Sequence, residues 1–94
     1  MHATIRSYSG VAGLVDGIVA NEDAIRKLLR DIDGFHAYYL VRTSDDSAVS
    51  VSVYGDRAGT EASTAAAREW IAANLPGLTT SPPEVSDGEV ALEA

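Results

Sequence analysis

Apolar and polar residues alternate along several short segments of the chain, and this alternation predicts four strands. The segment "AVSVSVYG" alternates strictly, which is typical of a strand with two different faces. The segment from His2 to Tyr8 also alternates, and the one from Phe35 to Thr43 is rich in β-forming residues. A last strand is predicted from Val85 to Leu92, with an interruption near "SDG".

Helical spacing appears between these strands. Apolar residues recur every three or four positions from Leu14 to Leu29, which predicts a first helix that ends before Gly34. Asp56 is a suitable N-cap for a second helix, which runs to about Leu75 and ends at "LPG". The segment "LTTSPP" is predicted to be a loop. The order β-α-β-β-α-β predicts a ferredoxin-like α+β fold, in which a four-stranded antiparallel sheet carries two helices on one face.

Composition narrows the classes of protein that fit this pattern. The 94 residues form one predicted domain (1–94), with 46% hydrophobic and 22% charged residues, an ordinary globular balance. A net charge of −7 argues against nucleic acid and anionic membrane as partners. The absence of cysteine excludes disulfides and thiol catalysis. With no long apolar run and no secretion-signal pattern, we expect a soluble, cytoplasmic protein.

The second predicted strand holds four aromatic rings in the nine residues "GFHAYYLVR". Alternation assigns bulky residues to both of its faces: Phe35, Tyr39 and Val41 on one, His36, Tyr38 and Leu40 on the other. Helices cover only one face of the predicted sheet, so the other face would expose large apolar side chains in a monomer. Such a face is typical of a partner surface, and we therefore predict a homodimer.

Two longer segments, "LLRDIDGFHAYYLVR" and "SVSVYGDRAGTEAST", together with the element order, resemble the dimeric α+β barrel superfamily. Within it, the chain is most similar to antibiotic-biosynthesis-monooxygenase-like domains, over residues from His2 to about Leu92. The resemblance implies that two sheets pair face to face into a barrel with the helices outside. It also implies a range of activities, since the superfamily includes cofactor-free oxygenases, haem-degrading enzymes, isomerases and domains without known activity. Haem degradation fits least, because "WIAANLPG" offers no histidine after Trp70.

The ring cluster contains the candidate catalytic residues. A cofactor-free oxygenase needs a base, a donor that stabilises an oxyanion, and a dry site. His36 is the base candidate because the ordinary pKa of a histidine side chain lies near neutral pH, and the donor candidate is Tyr38, on the same predicted strand face, or Tyr39. Arg6 or Arg42 could stabilise the resulting charge, and Arg6 is a candidate substrate-binding residue. The alternatives are a histidine buried in the dimer with a hydrogen-bond partner, and an arginine that makes cross-strand or intersubunit pairs.

Helical projection adds three candidate substrate-binding residues. Asn21 falls in line with the apolar residues of the first helix, and Asn74 and Trp70 share one face of the second. A buried amide needs hydrogen-bond partners, so these side chains would line a pocket between helices and sheet. The alternatives are that each asparagine lies at the solvent edge of its apolar stripe and that Trp70 is ordinary core.

The sequence is therefore consistent with two functions of different classes. The first is a cofactor-independent monooxygenase, or an isomerase, acting on a small aromatic or polyketide-like compound in a pocket lined by Trp70, His36, Tyr38 and Asn74. The second is a non-catalytic small-molecule-binding or assembly domain of the same fold. No metal is expected, since the histidines lack metal-binding spacing and no acidic run has the calcium-loop order. No cofactor is expected either, since no phosphate-binding loop follows a strand.

Overall fold

The computed structural model describes residues 1–78 and 82–94, and in these residues four strands and three helices follow one another along the chain. The elements are β1 (His2–Tyr8), α1 (Leu14–Ala20), α2 (Glu22–Arg30), β2 (Phe35–Ser44), β3 (Ser47–Tyr54), α3 (Arg57–Asn74) and β4 (Glu84–Glu89). The strands form one antiparallel sheet in the order β2-β3-β1-β4. The predicted ferredoxin-like α+β architecture is confirmed.

The predicted first helix is wrong in one respect, because two helices, α1 and α2, replace it. The break lies at Asn21, whose backbone leaves the helical region and whose side-chain Nδ2 donates to the Gly17 carbonyl oxygen at 2.8 Å. Asparagine side chains compete with the backbone for hydrogen bonds, which favours helix ends over helix interiors. Glu22 and Asp23 then occupy the first turn of α2, where negative charge is favourable.

The last strand also differs from its prediction. β4 runs without interruption through "SDG" and ends at Glu89, three residues before the predicted end. Pairing with β1 explains the continuity, since the Cα partners run from His2–Glu89 to Ser7–Glu84 without a shift. Part of the predicted "LTTSPP" loop, residues 79–81, lies outside the described residues.

Helix α3 begins as predicted. Asp56 accepts a hydrogen bond from the Gly59 backbone N–H at 3.0 Å, which confirms the predicted N-cap.

An irregularity at the start of β2 changes the predicted faces of that strand. The register with β3 shifts between Phe35 and Ala37, as at a β-bulge. A shift of one residue moves a side chain to the opposite face. Phe35 was predicted to share a face with Tyr39, but it instead packs against the core, with its ring edge against Tyr54 at a centroid distance of 5.6 Å. Gly34 makes the preceding turn at a φ of 84°.

The core lies between the helices and one face of the sheet. Its buried members are Tyr8, Val11, Leu14, Ile18, Ile25, Leu29 and Ile71. Within the described residues, no helix combines the length and the apolar character needed to cross a membrane.

The two sheet faces differ in a way that the fold class alone does not require. On the face under the helices, the centre is polar, and Thr4, Arg6, Ser50 and Ser52 are all buried there. The opposite, helix-free face is apolar over β2, β3 and the middle of β1. Its large apolar members are Ile5, Tyr39, Val41, Val49, Val51 and Val53, and the polar residues Ser7, Glu84 and Ser86 lie on the same face toward β4. Tyr39 is 63% exposed on this face, so a large aromatic surface faces outward in the single chain.

Candidate functional site

A groove of about 370 Å³ opens between helices α1 and α2 and strand β2. Its apolar lining residues are Ile18, Ile25, Leu29, Phe35, Tyr38 and Leu40. We call it the α1–β2 groove. Its volume is in the range of small-molecule sites, which are lined mainly by apolar and aromatic side chains with a few polar groups.

The rim of the α1–β2 groove is charged. Glu22, Arg26 and Arg30 of α2 line it together with Val19 of α1. Arg26 Nη2 lies 3.0 Å from Glu22 Oε2, and both side chains are exposed. Solvent-exposed pairs of this kind contribute about 0–1 kcal/mol and rearrange readily. The groove thus combines an apolar floor with a charged opening, which suits a flat apolar compound that carries polar substituents.

A second, much smaller space lies deeper between the helices and the sheet. This inner cavity measures about 10 Å³, which is close to the smallest volume that holds one water-sized group. Tyr8 and Ala67 line it but not the groove. Five residues line both spaces: Ile18, Ile25, Leu29, Tyr38 and Leu40. The inner cavity therefore adjoins the floor of the groove, and Tyr38 is the polar residue among the five.

Arg6 lies at the centre of the inner sheet face and is only 1% exposed. Four hydroxyl groups accept hydrogen bonds from its guanidinium. The bonds are Nη1 to Ser50 Oγ at 3.0 Å, Nη2 to Ser52 Oγ at 3.1 Å, Nη2 to Ser63 Oγ at 3.0 Å and Nε to Thr64 Oγ1 at 3.2 Å. We call these five residues the Arg6 cluster. It fixes the guanidinium rigidly between β1, β3 and α3.

Two tyrosines of the inner cavity lie within electrostatic reach of this cluster. Burial raises the pKa of the Tyr38 hydroxyl above its ordinary value of 10.0; Tyr8 raises it further, whereas Arg6 and Ser50 lower it. Burial likewise raises the pKa of Tyr8, against the charge of Arg6 and hydrogen bonding with Arg6 and Ser50. Both hydroxyls therefore keep their protons at neutral pH and are available as hydrogen-bond donors.

The structure brings only part of the predicted site together. Tyr38 lines both the groove and the inner cavity, and Arg6 lies behind them in its cluster. Trp70 is partly buried and packs against the core. His36 is exposed at the start of β2, and neither His36 nor Trp70 is among the described residues that line the two spaces.

Both asparagines lie at the solvent edge of their helices. Asn74 Nδ2 donates to the Trp70 carbonyl oxygen at 3.0 Å, just as Asn21 donates to Gly17. Both residues are exposed, so each amide satisfies a carbonyl of its own helix instead of facing the groove. This is the arrangement of the second sequence-based interpretation, in which each asparagine lies at the solvent edge of its apolar stripe.

Tyr8 and the hydroxyls that surround Arg6 are not among the site residues predicted from the sequence. A signal was present in β3, where serine alternates with valine at Ser50 and Ser52. Alternation alone does not say which set faces the helices, and valine would ordinarily be assigned to the core. Arg6 of β1 directly opposes Ser50, but a charged residue is ordinarily assigned to the solvent face, so this pairing does not indicate that the serines face inward.

Metal binding finds no support in the described part of the chain. Among residues 1–78 and 82–94, no three His, Asp or Glu side chains lie close enough together to hold a metal ion. His2 Nε2 lies 3.4 Å from Asp87 Oδ2 on β4, at the opposite edge of the sheet from β2, which carries His36.

No protein-family model matches the chain, and no curated protein sequence matches it significantly. Solved structures do match. A protein of unknown function from Nitrosomonas europaea superposes with a TM-score of 0.75 at 18% identity, over 99% of this chain and 91% of that one. SnoaB, a cofactor-independent oxygenase from Streptomyces nogalater, gives 0.69 at 19% identity, over 98% and 95% of the two chains.

A third match is the monooxygenase from the gene ActVA-Orf6 of Streptomyces coelicolor, solved in complex with nanaomycin D. It gives a TM-score of 0.67 at 15% identity, over 99% of this chain and 91% of that one. This chain has the fold of antibiotic biosynthesis monooxygenase-like proteins. The predicted resemblance is thereby confirmed at the level of the fold, and the shared fold places no residue in a catalytic role.

Proposed function

We propose that this protein binds a small aromatic, polyketide-like compound in the α1–β2 groove and oxidises it with molecular oxygen without a resident cofactor. The observation that supports the proposal is the groove itself, which has an aromatic and aliphatic floor and is lined by Tyr38, a residue that also lines the inner cavity. The cofactor-independent oxygenase and the nanaomycin D complex among the structural neighbours support the choice of reaction and ligand class.

The chemistry requires little from the protein beyond positioning and charge stabilisation. A deprotonated anthrone-like or quinol-like substrate passes an electron to O₂, and a carbon–oxygen bond then forms to give a hydroperoxide. Loss of water from the hydroperoxide leaves a carbonyl, so the substrate is oxidised and O₂ is reduced. In this scheme the floor of the groove orients the ring and excludes water, and Tyr38 donates a hydrogen bond to the developing oxyanion.

The sequence predicts His36 as the base for this scheme. If His36 is that base, its substitution by alanine should lower turnover about 100- to 10,000-fold while leaving ligand affinity unchanged. His36 is exposed and lies outside the groove lining, which favours a second candidate function, binding of the same ligand without catalysis. Turnover measured with anthrone-like and quinol-like compounds distinguishes the two. Tight binding with no oxidation would support the binding domain, and full turnover in His36→Ala would remove the histidine from the mechanism.

Binding in the groove is tested by blocking its opening. Val19 lines the groove and is 55% exposed, so Val19→Trp places a large ring in the opening without filling the core. We expect the variant to lose at least about tenfold in affinity for a quinone ligand, measured by fluorescence or calorimetric titration. Ala20→Trp is the matched control, because Ala20 is exposed on the same helix and does not line the groove. Equal affinities in the two variants would locate the ligand elsewhere.

We also propose that two copies of the chain pair through the helix-free face. The apolar residues of that face, with Tyr39 and Val41 largely exposed, support this arrangement. A 94-residue domain buries a modest fraction of its surface, so covering this face would add substantially to its stability. A stable two-fold interface needs at least about 1,000 Å² of buried surface, so the proposed pairing should bury at least that much. A cytoplasmic location remains a prediction from the sequence.

Dimerisation is tested by placing a charge on the helix-free face. Tyr39→Asp should convert the dimer to a monomer in light scattering at micromolar concentration, because the buried carboxylate would have no partner. Ala73→Asp is the control, since Ala73 is exposed on α3 and far from that face. A monomeric wild-type protein would refute the proposal, and so would a Tyr39→Asp protein that remains a dimer.

A further inference from the structure

We infer that the inner cavity is an anion site, in which an ionised oxygen of the ligand accepts hydrogen bonds from the Tyr8 and Tyr38 hydroxyls and Arg6 supplies the balancing charge. The inference rests on the proposed binding of an aromatic ligand in the α1–β2 groove. It adds the class of ligand, namely a compound with an acidic hydroxyl that is ionised at neutral pH, such as an enol or an acidic phenol.

The first ground is the unbalanced charge of Arg6. Arginine is almost never fully buried unless a counter-charge accompanies it, because desolvation of the charged group is costly. Here the acceptors are Ser50, Ser52, Ser63 and Thr64, all of them neutral. Among the ion pairs within residues 1–78 and 82–94, none involves Arg6. The interior of the fold therefore holds a positive charge that a bound anion would balance.

The second ground is the number of donors near the cavity. A guanidinium has five N–H groups, and four of them are used by the hydroxyls of the Arg6 cluster. Arg6 also interacts electrostatically with the hydroxyls of Tyr8 and Tyr38, which line the cavity. Both phenols stay protonated at neutral pH because they are buried. Two neutral donors backed by a fixed cation form a preorganised site for an oxyanion.

The third ground is the match in size and position. The inner cavity holds about one oxygen-sized group and has room for no ring. It adjoins the groove through the side chains that line both spaces, Tyr38 among them. A planar ligand lying on the groove floor would therefore direct a single substituent into the cavity. An oxygen attached directly to the ring is the substituent that fits this volume and these donors.

The experiment compares two ligands of nearly the same shape. One is a hydroxynaphthoquinone whose hydroxyl is ionised at neutral pH, and the other is its neutral analogue with fluorine in place of the hydroxyl. Calorimetric titration of the wild-type protein should show the ionised compound binding about 10- to 100-fold more tightly, the factor expected for hydrogen bonds to a charged group. Tyr8→Phe should remove about tenfold or more of the affinity for the ionised compound and leave that for the fluoro analogue unchanged.

Tyr39→Phe is the matched control, since it removes a phenol hydroxyl from the opposite face of the sheet, and it should change neither affinity. Circular dichroism of each variant checks that the fold is retained. Equal binding of the two ligands, or equal loss of both in Tyr8→Phe, would overturn the anion site and leave the groove proposal standing. Failure of both ligands to bind would overturn the groove proposal and the anion site with it.

Discussion

Removal of the Ser50 and Ser52 hydroxyls together is expected to destabilise the protein by about 3–6 kcal/mol, since each is hydrogen-bonded to a charged group and such bonds contribute about 1.5–3 kcal/mol. Both residues are buried, and each accepts a bond from Arg6. In the Ser50→Ala, Ser52→Ala double variant, two N–H groups of a buried cation would lose their partners. Urea denaturation at fixed protein concentration, where the linear extrapolation gives the free energy of unfolding, measures the loss.

The control is the same double substitution in an Arg6→Met background. Methionine fills a similar volume without charge, so the serine hydroxyls no longer stabilise a cation and their removal should cost about 1 kcal/mol or less. The difference between the two backgrounds is the coupling free energy between Arg6 and the serines. A coupling near zero would mean that the hydroxyls satisfy other partners, and the description of the Arg6 cluster as a hydrogen-bonded unit would then be wrong.

The Arg6 cluster is not explained by a contribution to folding stability alone. Replacing a buried charge by a well-packed apolar side chain is often neutral or stabilising, because the desolvation penalty disappears. If the Arg6→Met protein is as stable as the wild type while its affinity for an ionised quinone falls, the buried charge serves ligand binding. The comparison therefore links the stability measurement to the proposed anion site through one residue.

The architecture could be predicted from the sequence because its signals are local. Alternation, helical spacing, the glycine at the turn before β2 and the cap at Asp56 each depend on a few neighbouring residues, and all of them agree with one element order. The predictions that are wrong concern places where another interaction overrides the local sequence pattern. The amide of Asn21 bonds to the helix backbone and divides the helix, and the irregularity after Phe35 turns that ring toward the core.

The candidate site was less predictable because it depends on contacts between distant parts of the chain. Arg6 donates hydrogen bonds to residues 44 to 58 positions away in the sequence, and no sequence periodicity predicts such a contact. Tyr38 could be selected from the ring cluster because it shares a strand with other aromatic residues. Tyr8 could not, since its role follows only from the pairing of β1 with β3, which brings it beside Ala48 under the helices.

Tyr54 joins β3 to two helices, and Tyr54→Ala is expected to cost about 3–5 kcal/mol of stability, the range for a large buried ring. The side chain is 0% exposed, and its hydroxyl donates to the Leu29 carbonyl oxygen at 2.8 Å. The ring edge packs on Phe35. Helix α3 approaches so closely at Gly59 that a Cβ there would lie 2.7 Å from Tyr54 Cβ. The ring therefore fills the space between the sheet and these two helices.

Tyr54→Phe separates the hydroxyl from the ring, and it should cost about 0.5–1.5 kcal/mol, the net value of one hydrogen bond, because the Leu29 carbonyl keeps its bond from the Ile32 backbone N–H. Urea denaturation of both variants at one protein concentration measures the two losses, which matter because small domains have only about 5–15 kcal/mol of net stability. Most of the effect should appear in the alanine variant, since the ring holds the sheet against both α2 and α3. A loss below about 2 kcal/mol in Tyr54→Ala would mean that the helices close over the gap, and the tight approach of α3 at Gly59 would then have no role in fixing the sheet that carries the Arg6 cluster.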